Sequence, residues 1–474
     1  MTFPDILTPF ATKRFKSRFL LINGLGCWTL VRPDAYHQLL RGTLSPDSVI
    51  MLTEQGVLHD YEKSDCLDEH FLNFIKPYLG GPHLHIIPVT TGCNLNCVYC
   101  RTSKTRASAS INPPLHRLTR IIDFILSGPQ PKVFLEFGIG EPLVRPQILL
   151  ELMRYAKRLA QRKKKEIVFK VTTNGTRLKK SIIEVFAKYK VQIGLSLDGP
   201  KLLHDRQRPS LDGSSSYEAV SSCIRVLLKG NYPKISSSVT VTRWTIAHLG
   251  EIIDEYVRLG LESVGLRFVG CQGSAEDNQE TLLVNNAMIR KYLPQALRRI
   301  VELNRQGVRL RETYLSLFCE KIFQAIQPAH TELMSPCGFA IGQLAYSSDG
   351  TIYGCEECLS AMKFPLGHVE TDTLTSVLSQ PIVGTVLRHS FLDDLACTPC
   401  PYRPFCGQCP VIAYQQSGSF LPMSRRSNRC ATTQIYCDFI FDSIINRDSA
   451  FRAYCQNFNY RWQDFDSIIT KAGH

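Results

Sequence analysis

Cys93-Asn-Leu-Asn-Cys97-Val-Tyr-Cys100 is the stretch around which the chain is organised. Its cysteines are spaced C-x3-C-x2-C, and an aromatic residue, Tyr99, stands just before the third. Three thiolates on one short loop can hold a four-iron cluster and leave one iron without a protein ligand. That iron is open to a small chelating molecule, so the loop suits reactive chemistry better than electron storage. A zinc site closes instead with four ligands, usually as paired C-x2-C or C/H sets. The nearest histidines, His83 and His85, precede the loop. Three buried thiols with no metal are the plainest alternative.

The chain around the loop has 474 residues, enough for about two to three domains with cores of their own. No apolar run reaches the roughly 20 residues of a membrane span. Residues 1–15 carry no apolar signal-peptide core, so a cytoplasmic protein with no membrane partner is expected. Eighteen cysteines, many in C-x2-C pairs, point to metal or clusters in a chain of this kind rather than to disulfides. Cys27, Cys66, Cys223, Cys271 and Cys319 stand alone and read as ordinary buried thiols. The net charge of +13 admits nucleic acid, an acidic peptide or mere solubility. Its densest run, Arg162-Lys163-Lys164-Lys165, falls where a helical pattern ends, which favours a solvated helix C-terminus. No RNA-binding motif accompanies it, so nucleic acid is not the expected partner.

Five units are expected: 1–80, 81–280, 281–330, 331–440 and a helical tail over 441–474. In the first, 18–23 and 27–31 read as strands joined by a turn at Gly24 and Gly26, followed by short helices over 33–40 and 46–55. From residue 84 the pattern alternates. Strands are expected over 84–90, 132–137, 166–172, 191–197, 234–242 and 263–269. Helices fall between them, over 115–126, 146–162, 180–188, 217–228 and 246–259. Six such repeats imply an α/β fold with a parallel barrel or partial barrel, a (β/α)6 arrangement. Residues 281–330 read as a helical connector, with amphipathic stretches over 284–303 and 315–326. Active sites in such folds gather at the C-terminal ends of the strands, and the motifs fall there.

The spacing of Cys93, Cys97 and Cys100 with Tyr99 resembles the signature of the radical S-adenosylmethionine (SAM) enzymes. The resemblance implies that the open iron binds the amino and carboxylate groups of SAM, and that the reduced cluster cleaves a carbon–sulfur bond to give a 5′-deoxyadenosyl radical. Gly138-Ile-Gly140-Glu141-Pro142, ending the second strand, resembles that family's Gly-Gly-Glu-Pro element, which receives the SAM amino group. Ile139 replaces a glycine there, and a β-branched side chain narrows the local backbone choices. By the same resemblance Asn174 and Ser196 lie near the ribose and carboxylate, Asp198 and Tyr99 belong to the cofactor site, and Arg267 pairs with the carboxylate. Taken singly, Asn-Gly and Asp-Gly are routine turns; in order and at strand ends they reinforce each other.

A second cysteine system runs Cys337-x12-Gly350-x4-Cys355, then Cys397-x2-Cys400-x5-Cys406-x2-Cys409, then Cys430 and Cys437. It resembles the SPASM extension of peptide-modifying radical SAM proteins, which carries auxiliary four-iron clusters. One residue is missing before Cys409 relative to that pattern. The resemblance implies one cluster on Cys397, Cys400, Cys406 and Cys430. It implies a second on Cys337, Cys355 and Cys409, completed by Cys358 or left with an open iron. Structural zinc is the alternative. Residues 84–90, 196–209 and 341–350, with Pro404-Phe-Cys-Gly407, resemble the radical SAM maturases of the His-Xaa-Ser peptide system.

That family implies a ribosomally made precursor peptide as substrate, a flavodoxin or ferredoxin as electron donor, and an oxidative carbon–carbon, carbon–oxygen or carbon–sulfur crosslink as product. The N-terminal unit resembles winged-helix modules that hold a leader peptide as an added strand. Other readings are a sulfatase-maturing oxidase that makes formylglycine, a peptide epimerase with Cys271 as hydrogen donor, and a nucleic-acid-binding iron–sulfur protein.

Overall fold

Along 132–137 the odd positions Val133, Leu135 and Phe137 are buried while Lys132, Phe134 and Glu136 are not, the period of a strand with one face in a core. Along 146–162 the buried residues are Leu149, Leu152, Met153, Ala156, Leu159 and Ala160, the period of a helix lying on that sheet. The same two patterns alternate throughout the middle of the chain. The computed structural model describes residues 10–58, 71–73, 75–103, 112–324, 333–392, 397–421 and 427–460. Cys66, the first nine residues, 325–326 of the connector and the tail beyond 460 lie outside them.

The N-terminal sheet has three antiparallel strands, β1 (Phe10–Arg14), β2 (Phe19–Asn23) and β3 (Trp28–Val31). Helices α1 (Pro33–Arg41) and α2 (Pro46–Glu54) follow. The expected hairpin is β2–β3; β1 is an addition, paired to β2 from Phe10↔Asn23 to Arg14↔Phe19. Its five residues include three polar or charged ones, so no alternating apolar signal marks it. The hairpin turn is held by Asn23, whose Oδ1 accepts from Leu25 N and Cys27 N, both at 3.0 Å.

The central sheet runs β4 (Leu84–Ile87), β5 (Lys132–Phe137), β6 (Glu166–Thr173), β7 (Gln192–Ser196), β8 (Ile235–Val241) and β9 (Ser263–Phe268), each parallel to the next. Helices α3 (Leu115–Ser127), α4 (Pro146–Arg162), α5 (Lys180–Lys188), α6 (Lys201–Gln207), α7 (Ser216–Lys229) and α8 (Leu249–Arg258) lie between them. The expected (β/α)6 core is therefore present. The basic run sits where anticipated: α4 ends at Arg162 and is capped by Lys163.

The sheet is longer than six strands. In the connector, between α9 (Asn286–Arg305) and α10 (Thr313–Phe323), the two residues of β10 (Arg311–Glu312) add to β9 in parallel. At the opposite edge β11 (Gln343–Tyr346) joins β4 in parallel, and β12 (Thr351–Tyr353) and β13 (Pro365–His368) follow antiparallel. The cysteine-rich region thus shares the core's sheet, and most of the apolar interior is one cluster. No helix among the described residues is long and apolar enough to cross a membrane.

Candidate active site

The cysteine loop leaves the C-terminal end of β4 and is clamped by backbone bonds. Asn96 N donates to Pro209 O (2.8 Å) and Val98 N to Gln207 O (3.0 Å). Behind it, Gly273 packs so closely that a Cβ there would lie 2.2 Å from Cys100 O. Gly140 is needed for a similar reason: its φ is +65°, and a Cβ would meet Thr90 O at 2.5 Å and Gly92 O at 2.6 Å. Ile139, by contrast, is 1% exposed and packs into the core, so the replaced glycine leaves the cavity side of the turn unchanged.

Beneath the loop lies a buried charge network. Asp198 is wholly buried. It accepts from the Tyr99 hydroxyl, Gln207 Nε2 (3.0 Å), Thr240 N (3.0 Å) and both sides of the Arg208 guanidinium (2.9 and 3.3 Å). Arg208 in turn points a nitrogen at Cys97 Sγ, 3.9 Å away, and lies 5.3 Å from the Tyr99 ring centre. Burial pushes the Cys97 thiol up to about 12, against the pull of Arg208. On the other side Asn174 Nδ2 sits 3.7 Å from Cys93 Sγ. Glu141 is a staple: its carboxylate accepts from Thr173 Oγ1 (2.7 Å), Asn174 N (2.8 Å) and Leu143 N (3.0 Å), tying the second strand end to the third.

These strand ends line a cavity of about 560 Å³, in the range that holds a cofactor and part of a substrate. Cys93, Cys97, Cys100, Tyr99, Gly138, Gly140, Glu141, Asn174, Ser196 and Arg267 all border it. Pro142 and Asp198 do not. Pro142 is buried in the turn behind Glu141, and Asp198 reaches the site through Arg208, Tyr99 and Thr240. Arg208 was missed by sequence reasoning as a site residue, although it borders the cavity beside the cysteines. Its signal was its spacing from Asp198, ten positions on, which pairs them only once α6 is in place.

The far wall comes from the cysteine-rich region, including Glu356, Glu357, Cys409 and Asn428. Arg101, on the loop itself, pairs with Glu356 at 3.0 Å and Glu357 at 3.3 Å. Burial raises the Glu356 carboxyl despite Arg101 and Arg267 nearby.

Several cysteines of the second system fall into two groups. Cys337, Cys355, Cys358 and Cys409 lie close enough for their thiols to perturb one another. Cys437 lies beside Cys400 and Cys406, a proximity not anticipated from the sequence. Cys430 and Cys437 share helix α11 (Asn428–Ile445), seven positions apart and so on one face. Thr433 Oγ1 and Gln408 Nε2 both sit 3.6 Å from Cys406 Sγ. Among the described residues no three His, Cys, Asp or Glu side chains converge as ligands of a single ion. An iron–sulfur cube spreads its thiolates to its corners, and the three-thiol loop, with a cation and an amide at its sulfurs, fits such a group.

The radical SAM superfamily model matches residues 87–256. A cysteine-type anaerobic sulfatase-maturating enzyme of Clostridium perfringens is 23% identical over 377 residues, 77% of this chain and 97% of that protein. An AdoMet-dependent heme synthase of Methanosarcina barkeri is 24% identical over 353 residues, 72% of this chain and 94% of that one. Among solved structures, native anSMEcpe with bound AdoMet has a TM-score of 0.67 at 20% identity, over 77% of this chain and 98% of that one. Streptococcus suis SuiB bound to precursor peptide SuiA has a TM-score of 0.54 at 16% identity, over 90% and 99%. The cysteine loop at the end of β4 and the glycine turn at the end of β5 both fall within residues 87–256, the part of the chain that matches the radical SAM superfamily.

Proposed function

We propose that the protein modifies a ribosomally made precursor peptide, forming an oxidative crosslink within it, in the manner of the SPASM-type maturases and of the His-Xaa-Ser system in particular. The observation that carries this reading is the cavity itself: it opens between the three-cysteine loop and the cysteine-rich region, with Cys97 on one wall and Cys409 on the other. A group held there reaches both. SuiB is bound to a precursor peptide and a further anSMEcpe structure holds a peptide, so neighbours of the same fold take peptides.

Cys93, Cys97 and Cys100 would hold the cluster, which together with SAM would supply the chemistry for removing a hydrogen atom from the peptide. Arg208 and Asn174 hold charge and hydrogen-bond donors at the thiolates. Gly138 and Gly140 leave the cavity wall bare for backbone contact, and Arg267 is the cation for the SAM carboxylate. Crosslinking two positions removes two hydrogens from the peptide. One leaves as the hydrogen atom and the other as a proton, with one electron to be taken up. Glu356, raised by burial and facing the cavity, accepts the proton. Cys337, Cys355, Cys358 and Cys409, and the set of Cys397, Cys400, Cys406 and Cys430, are where auxiliary clusters would be held to accept the electron. Residues 1–80 receive the leader peptide, and flavodoxin or ferredoxin is the electron source.

A second reading, formylglycine formation on a sulfatase, is favoured by the relatives named sulfatase-maturating enzymes. Both readings draw on the same site. Mass spectrometry of a small peptide encoded beside the gene, co-expressed with the wild type and with Cys97→Ala, separates them. A loss of two hydrogens that resists aldehyde-reactive probes marks a crosslink; a hydrazine-reactive aldehyde on a cysteine or serine marks formylglycine. Glu356→Gln should lower turnover about 10²- to 10⁴-fold while SAM cleavage without peptide continues. Product made by Cys97→Ala would remove the whole scheme.

A further inference from the structure

Lys321, on the buried face of α10, is only 5% exposed. Its ammonium donates to Leu333 O (2.6 Å) and to Phe405 O (2.9 Å), and the second of these is the carbonyl immediately before Cys406. Among the described residues no carboxylate pairs with it. The groups that act on its charge are the thiols of Cys406 and Cys437, with Arg429 opposing them. A cation kept out of water without a countercharge is costly, and such groups persist where an anion compensates them. Two backbone carbonyls supply dipoles but no net charge.

We propose that Lys321 is the fixed countercharge of the auxiliary cluster bound through Cys400 and Cys406, and that it raises the reduction potential of that cluster. This rests on the reading that the cysteine-rich region holds clusters at all. A four-iron cluster with four thiolates carries net negative charge, which grows by one on reduction. Net charge and hydrogen bonds to the sulfurs are among the main determinants of its potential. A buried cation favours the more negative, reduced state. The low local dielectric makes the effect larger than a surface lysine would produce. Gln408 and Thr433, each 3.6 Å from Cys406 Sγ, add neutral polar contacts at that sulfur, whereas Lys321 adds a full charge beside it. Lys321 is thus a positioning residue for electron uptake: it touches neither peptide nor SAM and acts by making its cluster a better acceptor.

The test uses full-length protein reconstituted without oxygen, with potentiometric titration followed by electron paramagnetic resonance, iron counting and thermal melting. Wild-type protein is compared with Lys321→Met, which keeps length and loses charge, and Lys321→Arg, which keeps charge. The proposal expects one auxiliary signal of Lys321→Met to shift to lower potential with the other clusters unmoved, and Lys321→Arg to stay near wild type. Loss of one cluster's iron in Lys321→Met, with Lys321→Arg fully loaded, also supports it, because the cluster then needs the cation to form. Full iron and unchanged potentials in Lys321→Met overturn the proposal. So does equal damage in both variants, which would make the side chain a packing element. Wild-type protein with iron for one cluster only would instead remove the auxiliary-cluster reading on which the proposal stands.

Discussion

Arg208 shows what a single residue contributes here and why it escaped notice. Arginine ten positions after an Asp-Gly turn is marked in sequence by that spacing alone, which means nothing until α6 brings the two together. In the fold it bridges a buried carboxylate and a cluster cysteine. Arg208→Met should therefore raise the concentration of SAM needed for cleavage at least tenfold, read by SAM binding to the reconstituted protein, and leave Asp198 buried and unpaired. Removing one partner of such a pair typically costs about 3–5 kcal/mol, so a lower melting temperature should accompany the loss. Gly138, Gly140, Glu141, Asn174 and Ser196 were legible because each sits in a short motif at a strand end. Pro142 and Asp198 belong to the same motifs but stand behind the cavity, a difference of side-chain direction that a one-dimensional pattern does not carry. Glu312 offers a pH test at the same scale. It is wholly buried, accepts from Leu266 N and Leu315 N, and burial raises its carboxyl to about 7. A raised carboxyl holds its proton longer folded than unfolded, so stability falls as pH rises from about 4.5 to about 7. Glu312→Gln should flatten that slope, worth about 3 kcal/mol, in melts of the cluster-free protein. An unchanged slope would assign it to other groups.

Among the elements, the alternating core was readable because each strand and helix repeats its period over several turns or residue pairs: α4 and α5 fall where their patterns end. The pieces that were missed are short. β10 has two residues, β12 three, and β1 is mixed polar, so none offers a period. Least visible was the seat of the N-terminal sheet. One of its faces, with Leu21 and Val31, packs against Leu39 and Leu52 of its own helices. The other carries Trp28, whose indole donates to Ile322 O at 2.7 Å and meets the Phe441 ring edge-on at 5.1 Å. Lys13 and Tyr402 both reach Asp438 on α11. A module seated in this way cannot be cut off cleanly, because its removal bares Phe441 and Tyr402. Trp28→Ala should cost about 3–5 kcal/mol in urea or thermal unfolding, as for other buried large-to-small changes. A loss under 1 kcal/mol would mean that the sheet is only loosely held. Leader recognition is then better probed by substitutions along β1, which lies at the sheet's edge, with peptide affinity as readout.

For the whole molecule the decisive arrangement is that the cysteine-rich region extends the core's own sheet through β11 and brings Cys409 to the wall of the SAM cavity. Cys409 belongs to the group with Cys337, Cys355 and Cys358, the last of which is fully buried on the short helix after Cys355. Four thiols in one place would close every iron of a cluster, leaving none for the peptide and making that cluster an electron acceptor rather than a substrate-binding site. Reconstituted wild-type protein should then carry about twelve iron atoms in three clusters. Cys358→Ala would open one iron of the group at Cys409. The expected signs are a changed resonance for one cluster, a further change on adding cyanide as an external ligand, and continued SAM cleavage at the Cys93 loop. Peptide product should fall, because the radical still forms while the acceptor nearest the cavity is altered. Cluster ligation also holds loops together, so the variant must melt like the wild type before its activity is read. A folded Cys358→Ala protein whose cluster signals match the wild type, with or without cyanide, would show that Cys358 is no ligand. In that case the iron left open beside Cys409 already exists in the native enzyme, facing the space where the peptide is proposed to lie.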